Sequence, residues 1–435
     1  MIKRETWVKI IKDFQEFELP TLVERDIEVT DPPIKRVISI IGPRRAGKTF
    51  LMFQTMKKLL EKKVEKNRIL YVNFESDLLV GTELSDLRNL IEIFYEIYPD
   101  NKNQKVYLFL DEVQNVPNWE KFVRAVLDGE NVQVFISGSS SKLLSKEIAT
   151  SLRGRTLPHN VYPFSFKEFL KAKNFKMEKY LSSSQKAKLL NLLRKYVDGS
   201  YPEAVFFEEG REKILTEILD VTIYRDIVER FKVKNIKVLK LLRKSLVSST
   251  YFSVHKFYNY LKSLGIKASK NTIYNYVNYF SDSLVLYTLR KYSRSYKQTE
   301  QTIPKIYFVD NGLLVVSGIE SLSRFMENVV FLELLRRNFT PNVDLFYFSS
   351  DHKEVDFILK KKDKITQLVQ VCYNVEDFNT KERELNALAK ASGELKCSDM
   401  LVITWNNEGV ERYKNKKIKF LPLWKWLTGL EKGQP

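Results

Sequence analysis

An α/β fold, opening with a parallel sheet covered by helices and closing with a second strand-rich region, is the class this sequence predicts. Three observations lead there. Short apolar runs alternate with amphipathic stretches through the first third, helical patterning fills the middle, and strand-like runs return from Ile303 onward. The first alternation is the βα rhythm of a parallel sheet. At 435 residues the chain exceeds what one core supports, so several domains are expected.

In the first third the expected strands are Val37–Ile41, Ile69–Phe74, Val106–Leu110 and Val132–Ser137. β-Branched and aromatic residues fill them without polar alternation, which suits strands buried on both faces. Between them, Thr49–Lys62 and Leu84–Tyr98 carry apolar residues at helical spacing. After Arg155 the pattern turns helical over Phe166–Lys173, Ser184–Asp198 and Glu212–Phe231. Turn signals interrupt it at Tyr162-Pro163 and Gly199-Ser200-Tyr201-Pro202. The last third offers strands near Lys305–Val309, Leu345–Phe348, Val355–Leu359, Gln367–Val371 and Met400–Thr404. These changes of pattern divide the chain into 1–160, 161–228, 229–300 and 301–435.

Several classes are disfavoured. No apolar run approaches the ~20 residues of a membrane span. The first residues, Met1 to Trp7, lack the apolar region of a secretory signal. Only Cys372 and Cys397 occur, and no His/Cys group has zinc spacing, which points to a reducing cytoplasm and away from a structural metal.

The strongest local signal is Gly42-Pro43-Arg44-Arg45-Ala46-Gly47-Lys48-Thr49, a complete GxxxxGK[ST] pattern set between an expected strand and an expected helix. Glycines let such a loop curl so that backbone N–H groups converge on phosphate oxygens, and the following helix aims its dipole at the same charge. Lys48 would neutralise the β- and γ-phosphates of ATP, Thr49 would ligate Mg²⁺, and Phe50 begins the helix beside them. About sixty residues on, Val106–Leu110 ends in Asp111-Glu112. A strand lifts such acids to the rim of the sheet, where Asp111 would hold the Mg²⁺ shell and Glu112 would act as general base on water.

The fourth strand ends in Ser137-Gly138-Ser139-Ser140-Ser141. Ser139 is the candidate for bonding the γ-phosphate or the water; a plain turn is the alternative. In Leu152-Arg153-Gly154-Arg155, Arg155 is the candidate for reaching a neighbouring subunit's γ-phosphate, against an ordinary surface arginine. A homo-oligomer follows if Arg155 acts in trans.

Net charge is +18, and its placement is informative. From Arg230 to Lys297 fifteen Lys/Arg face one acid, Asp282, so this stretch alone carries +14, with nine tyrosines interleaved. Such a field attracts polyanions, nucleic acid first among them; a solvated surface or an anionic lipid site is the alternative. Within it, Ile236–Ser248, His255–Leu264 and Ser269–Ser281 read as three helices followed by apolar Leu284–Leu289, the order of a winged helix. In the third helix Ile273, Tyr276, Val277 and Phe280 fall at core spacing. The opposite face shows Lys270, Asn271, Tyr274, Asn275 and Asn278, types that contact phosphates and base edges. Winged helices also serve as protein-packing modules, which is the competing reading.

Taken together the chain resembles the AAA+-class ATPases common in archaea and also found in bacteria, which carry a conserved C-terminal domain of uncharacterised function. The resemblance rests on "GPRRAGKT", "YVNFES", "LDEVQNVPNWEKFVR", "ISGSSSKLL", "LRGR", "YPFSFKEFL", "DGSYPEAV", "YRDIVER", "KIYFVDNGLL" and "EVDFIL", in order from about residue 35 to 360. It implies an ATPase core, a helical lid, a winged helix and a restriction-endonuclase-like tail. It also implies that Pro202 in "GSYPEA" packs on adenine, although a simple turn proline explains it too. An endonuclease-type site needs a helix acid, a central Asp and a Glu-x-Lys pair. Glu327 and Asp356 match the first two, but Gln370 and Cys372 stand where Glu and Lys are needed, so weak or no metal-dependent cleavage is expected. The expected activity is Mg²⁺-dependent ATP hydrolysis coupled to remodelling or translocation of duplex or branched DNA. A nucleotide switch that recruits a protein, and an ATP-regulated nuclease, are the alternatives.

Overall fold

Alternate residues of a strand point to opposite faces, so strands apolar at every position need cover on both sides. In the computed structural model, which describes residues 1–139, 150, 152 and 154–430, the first unit meets that need. Ser140, Ser141 and Arg153 lie outside the described residues. The chain divides into two compact units, Met1–Tyr162 with Asp282–Leu284, and Pro163–Ser281 with Val285–Pro435.

The first unit runs α1 (Arg4–Glu16), β1 (Val37–Ile41), α2 (Lys48–Glu61), β2 (Ile69–Asn73), α3 (Leu84–Ile97), β3 (Val106–Asp111), α4 (Trp119–Gly129), β4 (Val132–Gly138) and β5 (Thr156–Asn160). Its sheet has the order β2-β3-β4-β1-β5 and every pairing is parallel. One face packs Leu108, Leu110, Val134 and Ile136 against Trp7 and Ile11 of α1, Leu90 and Phe94 of α3, and Phe122 and Val126 of α4. The other packs Ile38, Ile40, Phe109 and Phe135 against Leu51, Met52 and Met56 of α2. Phe109 and Phe135 stack there with ring centroids 4.3 Å apart. Four of the five strands coincide with the expected ones to within a residue. The fifth, β5, is missing from the expectation because its sequence, Thr-Leu-Pro-His-Asn, is mostly exposed and contains a proline. At the edge of a sheet a missing N–H is tolerated, so Pro158 can pair on one side only.

The second unit begins with α5 (Phe166–Ala172), α6 (Ser183–Val197), α7 (Pro202–Phe206) and α8 (Arg211–Val221). Ser165 and Ser182 close capping boxes with Glu168 and Gln185, which fixes where α5 and α6 start. The single helix expected over Glu212–Phe231 is α8 continued by a π-helical segment, Thr222–Glu229. Then follow α9 (Ile236–Ser248), α10 (Val254–Ser263), α11 (Lys270–Asp282), β6 (Leu286–Leu289), α12 (Tyr296–Glu300), β7 (Lys305–Phe308), α13 (Gly312–Val315) and α14 (Leu322–Arg336). The strand expected at Lys305–Val309 does not join the C-terminal sheet; as β7 it pairs antiparallel with β6 in a two-stranded ribbon.

The remaining elements are β8 (Leu345–Ser350), β9 (Lys353–Lys361), β10 (Lys364–Cys372), α15 (Phe378–Leu395), β11 (Met400–Thr404), β12 (Gly409–Tyr413), β13 (Lys416–Pro422) and α16 (Leu423–Thr428). They form a mixed six-stranded sheet in the order β12-β13-β11-β10-β9-β8. Leu385, Leu388 and Ala391 of α15 pack on Ile358, Leu368 and Val402 of this sheet. Cys372 and Cys397 are free and buried. Among the described residues no helix is long and apolar enough to cross a membrane.

Candidate active site

At the C-terminal end of β1 the chain turns against Val161. A Cβ on Gly42 would stand 2.1 Å from the Val161 carbonyl oxygen, so only glycine fits. Gly47 takes φ +97°, a left-handed conformation that glycine adopts without strain, and serves as N-cap of α2. Having no side chain, it leaves the first turn of α2 without a side-chain cap. The loop is clamped from behind by Arg25, a buried residue of the segment between α1 and β1. Its Nη1 donates to the Ala46 carbonyl at 2.8 Å and its Nη2 to the Tyr162 carbonyl at 2.6 Å.

Lys48 and Thr49 open α2 beside the tip of β3. The Thr49 hydroxyl donates to Asp111 Oδ2 at 2.7 Å, and the Tyr71 hydroxyl, from β2, donates to the same oxygen at 3.0 Å. Ser137, from β4, donates to Asp111 Oδ1 and accepts the Glu112 N–H at 2.9 Å. Three hydroxyls from three elements thus hold one carboxylate. Burial raises the Asp111 carboxyl above its ordinary range, opposed by the Ser137 and Thr49 hydrogen bonds and reinforced by the charge of Glu112.

Glu112 adopts φ +51°, a strained left-handed conformation for a residue with a Cβ, of the kind held in place at functional sites. Its Oε1 pairs with Lys48 Nζ at 3.0 Å, and Gln114 Nε2 donates to its Oε2 at 2.5 Å. Lys48 also donates to the Pro43 carbonyl at 3.2 Å. Burial works to raise the Glu112 carboxyl, but the Lys48 ammonium outweighs it, and the group lies below the ordinary carboxylate range.

The loop-and-strand residues expected from sequence, Lys48, Thr49, Asp111 and Glu112, are therefore brought together. The others are more scattered. Arg44 pairs with Glu75 at 2.5 Å, Arg45 sits at φ +61°, and the half-exposed Phe50 ring lies 6.1 Å from that of Phe53. Ser139 is buried one residue beyond β4, while Ser137 is the serine on the acids. Arg155 forms an ion pair with Asp128 of its own unit. Pro202 is the first residue of α7. On α11, Lys270, Asn271, Tyr274, Asn275 and Asn278 are all exposed, opposite buried Ile273, Tyr276, Val277 and Phe280. Arg25, Tyr71 and Gln114 do not stand out in the sequence, and of the serine run the structure places Ser137, not the candidate Ser139, on Asp111. A register that sets Asn73 beside Asp111 brings Tyr71 within reach of the acid, and register is a tertiary property.

An ammonium, a hydroxyl and a carboxylate converge beside an uncapped helix start. Hard oxygen donors next to a cation suit a Mg²⁺–polyphosphate, so the residues fit that ligand: Thr49 and Asp111 would hold the metal, Lys48 and the start of α2 the phosphates.

Comparison with known proteins agrees with this geometry. Residues 34–170 match the AAA domain family. Residues 189–323 and 322–426 match two domains of unknown function, DUF8612 and DUF4143. The chain is 41% identical over 417 residues to the uncharacterized protein MJ1544 of Methanocaldococcus jannaschii, covering 93% of this chain and 91% of that protein. It is 34% identical over 365 residues to an uncharacterized protein of Haemophilus influenzae, covering 82% and 87%. Among solved structures, the Aeropyrum pernix ORC1 protein in complex with DNA is 12% identical over 78% of this chain and 95% of that one, with a TM-score of 0.28. With its AAA domain and relatives matched over most of its length, the chain belongs to the family of AAA-domain proteins that the archaeal and bacterial sequences represent.

Proposed function

We propose that this protein binds ATP with Mg²⁺, hydrolyses it, and couples the turnover to remodelling or moving DNA. The observation that carries the reading is the convergence of Lys48, Thr49, Asp111 and Glu112 at one edge of the parallel sheet. Mg²⁺, when bound, supplies Lewis-acid stabilisation of charge on the phosphates. The chain's own groups do the rest. Lys48 neutralises phosphate charge once it leaves Glu112. Asp111, held by Ser137 and Tyr71, keeps its carboxylate aimed at the Thr49 side of the site. Glu112, released from Lys48, orients a water and accepts its proton on a carboxylate oxygen.

The DNA part of the reading is supported by the exposed polar face of α11 and by the +14 charge of the surrounding stretch. We read α9, α10, α11 and the β6–β7 ribbon as a winged helix whose third helix meets the duplex, Lys270 on phosphate and the asparagines on base edges. Residues 161–228 are read as the lid, with Pro202 against adenine, and the mixed sheet as an endonuclease-like tail. Arg155 serves a neighbouring subunit only if it exchanges Asp128 for phosphate, an inexpensive step for an exposed pair.

The test is ATP hydrolysis measured alone and with duplex, forked and four-way DNA, beside a gel-shift panel at two salt concentrations. DNA should raise turnover severalfold, and its affinity should fall steeply with salt. Absence of any shift at low salt removes DNA from the reading. Slow hydrolysis indifferent to DNA would instead mark a nucleotide switch.

A further inference from the structure

A lysine with almost no exposed surface is rare unless its charge is matched. Lys305, the first residue of β7, is 1% exposed. Its Nζ lies 2.9 Å from Glu327 Oε1 on α14, 2.7 Å from Glu354 Oε1 and 3.0 Å from Asp356 Oδ1, both on β9. The ammonium donates to Glu327 and Asp356 and forms an ion pair with Glu354, so one cation faces three carboxylates. The rings of Tyr251 and Tyr347 complete the enclosure, with centroids 5.8 and 5.7 Å from the nitrogen.

The acids are further tied down by the chain. Asp356 lies one residue past the last paired position of β9 and β10, Phe357 opposite Val369, so its carboxylate enters the opening between the two strands. There its Oδ2 accepts the Val371 N–H at 2.9 Å. Tyr307 donates to Glu327 Oε1 at 2.6 Å, and Tyr251 donates to Glu354. Gln370 accepts the Asp356 N–H at 3.3 Å and donates to Glu384 at 2.5 Å.

We propose that Lys305 is a built-in counter-ion that occupies the place a divalent cation would take among Glu327, Glu354 and Asp356, so that the wild-type C-terminal unit holds no divalent metal there. Three carboxylates facing one point are the hard-oxygen donor set of Mg²⁺, Mn²⁺ or Ca²⁺, which would sit at roughly 2.0–2.6 Å from them. The observed separations are those of N–H···O hydrogen bonds. An entering ion would have to expel a buried ammonium that, among the described residues, pairs with no carboxylate besides these three. The neutral Gln370 belongs to the same balance, since a fourth acid at that position would leave one lysine facing a larger deficit. Even so the cluster has more acid than cation, and the Tyr307 hydroxyl, the Tyr251 hydroxyl and the Val371 N–H supply further donors to the three carboxylates. This inference is independent of the nucleotide reading.

The experiment is Mn²⁺ binding to the full chain without nucleotide, followed by electron paramagnetic resonance of free Mn²⁺. Wild type should show no binding that an added Asp356→Asn change removes. Lys305→Ala, once its circular dichroism matches wild type, should gain one Mn²⁺ site per chain that the wild type lacks. Lys305→Ala with Asp356→Asn should lose that site. A folded Lys305→Ala chain that binds no Mn²⁺, or a wild-type site sensitive to Asp356→Asn, overturns the proposal. Amine-reactive labelling of the wild-type chain decides the matter even where Lys305→Ala does not fold. Lys305 should stay unlabelled with and without millimolar Mn²⁺, and labelling that rises with Mn²⁺ would show the ammonium displaced and the proposal wrong.

Discussion

Replacing Glu112 by glutamine should stop hydrolysis and, at the same time, tighten ATP binding. Lys48 and Glu112 are 3.0 Å apart and both nearly buried, so phosphate can claim the lysine only by breaking that pair. The gross attraction of unit charges at this distance is about 5 kcal/mol at an effective dielectric constant of ~20. Desolvation offsets much of it. A hydrogen bond to a charged group contributes a net ~1.5–3 kcal/mol, whereas the glutamine amide retains a weaker, neutral bond. Lys48 keeps the Pro43 carbonyl at 3.2 Å in either case. The variant therefore starts from a less stabilised free state and gains affinity of about 1–1.5 kcal/mol, the difference between a charged and a neutral bond, which corresponds to ~5- to ~10-fold in Kd. Removing a negative charge beside the phosphates acts in the same direction.

Equilibrium titration with a fluorescent ATP analogue and Mg²⁺, paired with phosphate-release kinetics, measures both effects. An affinity equal to or weaker than wild type would refute the idea that the pair competes with phosphate. Turnover near the wild-type rate would refute Glu112 as the base.

Three further outcomes follow from the same contacts. Arg25→Met leaves the Ala46 and Tyr162 carbonyls without their guanidinium donor, so the first unit should lose on the order of 3 kcal/mol in urea unfolding and bind ATP more weakly; an unchanged midpoint would remove the clamp. Asp356 has a folded-state value of about 7 against ~3.9 when unfolded, so between those limits the native state binds more protons. Its contribution must therefore become less favourable as pH rises from ~4 through ~7 and level off above, and Asp356→Asn should flatten that slope in urea midpoints taken across pH. Lys270→Ala should weaken duplex binding evenly across sequences and lower the salt slope by about 1, and an unchanged slope would take this lysine off the phosphates.

Much of this protein can be read locally, and the reason is physical. The GxxxxGK[ST] loop works through backbone conformation, and the strand before it and the helix after it are specified within a few residues, so Gly42, Gly47, Lys48 and Thr49 stand out in the sequence itself. The acids Asp111 and Glu112 are legible for the same reason, because an apolar strand must end where they begin. Trp7, Ile11 and Phe14 also have helical spacing, and α1 was there to be found. Arg25 was not, because its partners are backbone carbonyls that exist as acceptors only after the loop has folded. The tail makes the contrast sharper. Gln370 and Cys372 reveal in one dimension that an acid and a base are missing from a metal-site pattern. What stands in for the metal, Lys305, lies about fifty residues before Asp356 and looks like the polar edge of a strand. Its meaning depends on β7 leaving the C-terminal sheet to pair with β6 while still delivering its first side chain to the gap between β9 and β10. A lost charge can be seen at its own position, whereas its replacement is visible only in the fold.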